Sequence, residues 1–183
     1  MNLQLGDIIV FKGKGLGYQI LSRLLKLFER DYVRWGWHVG VVSKVRENGV
    51  TSIIEAVAPT VRESVLTSER PYRVYRWLDH PITDTIVHSF VEGHRGMRYD
   101  ILIYFWTSVA VIVRHFWNRP IPKLLDRLFS CWELAQDFME YVGKPIVSKY
   151  DVIIISDLLK VLKASQLLKE TLIGEQHIDR PGI

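Results

Sequence analysis

The stretch Trp37-His38-Val39-Gly40-Val41-Val42-Ser43-Lys44-Val45, followed by Arg46-Glu47-Asn48-Gly49 and then Thr51-Ser52-Ile53-Ile54-Glu55-Ala56-Val57, decides the fold. Both flanking runs are rich in β-branched residues and the segment between them carries Asn-Gly, so they read as antiparallel strands of a hairpin. His38 sits at the start of the first strand, and Glu55 interrupts the second. A loop from Val45 to Asn48 pairs Lys44 with Gly49 and sets His38 directly across from Glu55. Any loop of even length keeps the two on one sheet face, whereas a tight Asn48-Gly49 turn parts them along the strands. A carboxylate in an apolar strand needs a partner. His38 is one candidate; water at an edge strand is the other.

Outward from the hairpin, Asp7-Ile8-Ile9-Val10-Phe11 is almost continuously apolar and reads as a buried strand. Tyr72 to Trp77 alternates and reads as another. Helical spacing appears over Tyr18 to Arg30, from Pro81 up to Gly93, over Tyr99 to Trp117, from Cys131 to a stop at Gly143, and over Ser156 to Leu162. Strands early and helices later imply an α+β fold. The glycines at Gly13, Gly15 and Gly17 lack both the dinucleotide fingerprint and the Walker spacing, so they read as a turn.

The chain has 183 residues, 48% hydrophobic and 24% charged, which fits one globular domain over 1–173 with a tail over 174–183. Its net charge of +4 is spread along the chain, unlike the concentrated basic patch of a nucleic-acid binder, so no nucleic-acid partner is expected. A single cysteine, Cys131, excludes an internal disulfide framework and a Cys-rich zinc site. The start, Met1 to Asp7, has no basic segment leading into an apolar one, so no signal peptide is expected. The apolar run from Ile101 to Val113 is shorter than the roughly 20 residues of a spanning helix. These features imply a chain that is cytoplasmic as synthesised, with phage-associated or membrane-peripheral placement as alternatives.

Ser130-Cys131-Trp132-Glu133 ahead of an amphipathic run has the spacing of a capping box. Ser130 then caps the helix and Cys131 takes its first position, where unpaired N–H groups and the helix dipole favour an anion. A reactive thiol belongs in such a place; a small buried hydrophobe is the alternative. Of the six histidines, His38 alone lies within an apolar strand, and the others read as surface residues.

Leu5-Gly6-Asp7-Ile8-Ile9, Trp37 to Val42, Ile54-Glu55-Ala56, Met97-Arg98-Tyr99-Asp100 and Ser130 to Leu134 occur in that order. In this the chain resembles the circularly permuted branch of the NlpC-type papain-like cysteine hydrolases, the YiiX-like group, in which the His strand precedes the Cys helix. The resemblance implies a permuted papain-like fold with Cys131 as nucleophile, His38 as base and Glu55 orienting the base. It implies Tyr99 and Trp37 near the substrate, and no metal or cofactor. One departure is Trp132, where the family commonly has Ser. The implied reaction is cleavage of an amide in a small or cell-wall-type peptide through a thioester. Lipid acyl hydrolysis or transfer, as in the similar lecithin:retinol acyltransferase group, is the alternative with a lipid or membrane-surface partner. A binding domain with a lapsed site is the third.

Overall fold

The computed structural model describes residues 2–13, 36–67, 71–78, 81–99, 130–145, 155–165 and 168–173, with isolated positions between 19 and 27 and between 109 and 116. The expected helices over Tyr18 to Arg30 and Tyr99 to Trp117, the run Ile101 to Val113 and the tail 174–183 lie, but for isolated positions, outside the described residues. The fold is α+β. Strands β1 (Ile8–Lys12), β2 (Gly36–Val45), β3 (Thr51–Val57), β4 (Thr60–Val65), β5 (Tyr72–Trp77) and β6 (Leu168–Ile173) form one sheet in the order β4-β3-β2-β1-β5-β6, antiparallel throughout. Helices α1 (Asp84–His94), α2 (Cys131–Tyr141) and α3 (Ile155–Ala164) complete the described elements.

Strand alternation divides the apolar residues between the two faces. Ile8, Val10, Val39, Val41, Ile54, Ala56, Tyr75 and Trp77 pack with Val87 and Phe90 of α1, Leu134 and Phe138 of α2, and Leu158 and Leu162 of α3. All three helices therefore cover one face. Ile9, Phe11, Val42, Ile53 and Val74 form a smaller cluster on the other. The middle strand β1 is buried on both sides, as its unbroken apolar sequence requires.

The β2–β3 hairpin differs from the expected register. Val45 pairs with Thr51, the Arg46 N–H donates to the Val50 carbonyl, and the Gly49 N–H donates to the Arg46 carbonyl. Gly49 has φ +81°, so the connection is a short turn closed by a left-handed residue that favours glycine. An odd connection of this kind would turn His38 and Glu55 to opposite faces. An irregularity between Val42 and Lys44 restores the parity: Ser43 is an extra residue, and beyond it Val42 pairs with Ile53 and Gly40 with Glu55. His38 is thus diagonal to Glu55 rather than directly opposite it.

The capping box forms as the spacing implies. The Ser130 Oγ accepts from the Glu133 N–H at 3.4 Å, and the Glu133 carboxylate accepts from the Ser130 N–H at 2.8 Å. At the other end the Lys144 N–H reaches the Met139 carbonyl and the Gly143 N–H reaches that of Glu140, with Gly143 at φ +72°. This is the six-to-one and five-to-two closure of a Schellman motif. Both ends of α2 are therefore fixed, and Ser130 is fully buried. Replacing Ser130 by Ala is expected to lower stability by about 1–2 kcal/mol, read from chemical denaturation. An unchanged midpoint would mean that packing alone holds the helix start.

Candidate functional site

His38 and Glu55 meet although their strands pair them diagonally. The His38 Nε2–H donates to Glu55 Oε2 at 2.7 Å; a carboxylate can only accept, so this nitrogen carries the proton. The other carboxylate oxygen, Oε1, accepts from Ser64 Oγ at 2.6 Å. Ser64 lies on β4, whose register sets Ile53 against Ser64 and Glu55 against Arg62, so Ser64 is diagonal to Glu55 from the opposite side. Three adjacent strands thereby contribute one line of side chains. On β1, Phe11 pairs with His38 and stacks on its ring, with centroids 5.6 Å apart and 28° between planes.

Cys131 is the first residue of α2 and is 2% exposed within the helix-side core. By alternation His38 belongs to the opposite face, with Phe11. The two are electrostatically coupled near the start of β2, where the β1–β2 register also shifts. With Nε2 engaged by Glu55, Nδ1 is the nitrogen left for sulfur.

The electrostatics follow from these contacts. Burial alone pulls the His38 pKa down, but the Cys131 side chain and then the Glu55 carboxylate outweigh it, raising the pKa from 6.5 to about 9. Burial pushes the Glu55 carboxyl up. Hydrogen bonds from His38 and Ser64, with the His38 and Arg62 charges, overcome it and hold the group below its ordinary value.

A cavity of about 480 Å³ opens over this line of residues. His38, Glu55, Arg62, Ser64, Tyr99 and Phe11 line it, together with apolar residues of β3. Cys131 is not part of its wall among the described residues; it is coupled to the cavity through His38. Of the residues singled out in the sequence, Cys131, His38 and Glu55 come together and Tyr99 borders the same cavity. The backbone of Trp37 lies in β2, but its side chain falls outside the described residues. Among the described residues no group of three or more His, Cys, Asp or Glu is placed to hold a metal.

Sequence reasoning missed Phe11, Arg62 and Ser64. The last two lie on a strand whose sequence, Thr60-Val61-Arg62-Glu63-Ser64-Val65, is too polar to stand out. Their signal was the buried carboxylate itself, which has two oxygens to satisfy. His94 also departs from a surface reading: it stacks on Phe90 at 4.0 Å and its Nδ1–H donates to the Phe90 carbonyl at 2.8 Å.

No protein-family model matches the chain, and no curated protein matches it.

The raised His38 pKa has a consequence for stability. The folded chain holds this proton more tightly than the unfolded chain, so the stability it confers is complete below about pH 6.5 and is lost as pH rises through about 9. Chemical denaturation across that window is expected to show falling stability in the wild type and a shallower fall in Glu55→Gln. Equal slopes would contradict the His38–Glu55 coupling.

Proposed function

We propose that the protein is a cysteine hydrolase that cleaves an amide bond in a small or cell-wall-type peptide. Cys131 is the nucleophile, His38 the base and Glu55 the residue that orients the base. The observation that carries this reading is the His38 ring, bonded at Nε2 to Glu55 at 2.7 Å and electrostatically coupled to Cys131, the first residue of a helix. The ordered resemblance of the sequence blocks to the permuted NlpC-type hydrolases supports the peptide substrate.

The reaction divides into two acyl transfers. His38, protonated below about pH 9, holds the proton that Cys131 gives up, and the sulfur attacks the carbonyl carbon of the amide. The Cys131 N–H, without an intrahelical partner at the helix start, is available to the developing oxyanion. The His38 imidazolium then protonates the leaving amine as the carbon–nitrogen bond breaks, giving a thioester. Water attacks the thioester, its proton passes to His38, and the acid leaves while Cys131 regains its hydrogen. Glu55 keeps the Nε2 proton in place throughout and presents Nδ1 to sulfur.

The test is intact-mass detection of an acyl-enzyme after mixing with short peptides or with acyl esters of lipids. A mass increase from peptides, absent in Cys131→Ala, is the expected result. Acylation from lipid esters alone would reassign the substrate to lipids, and no adduct from either panel would favour a binding domain. Turnover is expected to fall as pH rises through about 9, where His38 loses the proton the leaving amine needs. In Glu55→Gln that alkaline limb is expected at lower pH.

A further inference from the structure

We infer that Ser64 is a positioning residue of this site, holding the Glu55 carboxylate in the orientation that directs His38 toward Cys131. The inference deepens the hydrolase reading and rests on it for its catalytic meaning, but its geometry stands independently. Glu55 lies between two neighbouring strands and uses one oxygen toward each: Oε2 to His38 on β2 at 2.7 Å, Oε1 to Ser64 on β4 at 2.6 Å. The two bonds together fix the carboxylate's plane. A single bond to His38 leaves rotation about the last side-chain torsion free, because that torsion is broad.

Several features single out Ser64. It is partly buried and borders the same cavity as His38 and Glu55. Arg62, the direct Cα partner of Glu55, acts on the carboxylate by charge alone. The hydroxyl is thus the donor that supplies direction, and the guanidinium supplies field. A hydrogen bond to an ionised acceptor is about twice as strong as a neutral one. A Ser at this position therefore does more than satisfy a polar atom at the sheet edge.

The groups around His38 and its partner are Cys131 from α2, Glu55 from β3, Arg62 and Ser64 from β4, and Tyr99 on the wall of the same cavity. Only the hydroxyl changes in the test. Ser64→Thr keeps a donor, and Ser64→Val has nearly the same shape as Thr without one; both suit a strand. The His38 ring is titrated by NMR in the full chain, and the rate of Cys131 alkylation by iodoacetamide is measured alongside. Ser64→Val is expected to lower the His38 midpoint by about one pH unit and to slow alkylation severalfold, with Ser64→Thr close to wild type. Identical titration and alkylation in the Val and Thr variants would overturn the positioning role. Failure of the hydrolase reading is separable: alkylation indifferent to His38→Ala would remove the catalytic pair, while the His38 titration in the Ser64 variants still decides the geometry.

Discussion

A carboxylate inside an apolar sheet is costly unless both oxygens find donors, and Glu55 meets that requirement by drawing on the strands at either side. The rest of the site depends on it. The bond to Oε2 fixes which nitrogen of His38 carries the proton, and that leaves the other nitrogen for the Cys131 side chain. The His38 ring and then the hydroxyl on Oε1 hold the carboxyl below its ordinary pKa although burial opposes the charge. One largely buried anion thereby sets the tautomer and the orientation of a strand histidine and, after Cys131, adds to its raised pKa.

Strand parity makes this arrangement possible. Side chains alternate between faces, so Phe11, His38, Glu55 and Ser64 share a face only if each register is right. The turn after Val45 supplies the wrong parity by itself, and the extra residue at Ser43 corrects it. Ser43 is in turn anchored, since its hydroxyl donates to Glu63 Oε1 at 2.7 Å and Arg95 at the end of α1 bonds to the same carboxylate. The irregularity is thus tied to neighbouring elements on the side of the sheet away from the cavity. On the helix side, a capped start and a Schellman closure hold α2 so that its first residue meets His38.

Much of this was legible in the sequence because local patterns encode it. The apolar run of β1, the alternation in β5, the β-branched hairpin and the Ser130–Glu133 capping box each report a local energetic preference, and each forms. The sheet edges were not legible. β4 and β6 carry Arg, Glu, Lys and Thr among few apolar residues, as edge strands tolerate, and their pattern is weak. Missing β4 meant missing Ser64 and Arg62. The hairpin register was also beyond local reading, because a single extra residue changes parity without a distinctive sequence. An even loop and the partner that a carboxylate in an apolar strand needs bring His38 and Glu55 to one face in the sequence reading; the face is right and the register differs. The meeting of His38 with Cys131 is a long-range outcome of packing α2 against β2 and β3, which no spacing in the chain prescribes.

The central claim is that Cys131 and His38 act as one chemical unit. It is tested most directly by the rate at which iodoacetamide alkylates Cys131 as a function of pH, in wild type and in His38→Ala. The account predicts rapid alkylation at neutral pH in the wild type and a rate about tenfold or more lower in the variant, because the sulfur loses the ring that holds its proton. Superimposable profiles for the two proteins would contradict it and leave Cys131 a structural residue of the helix-side core.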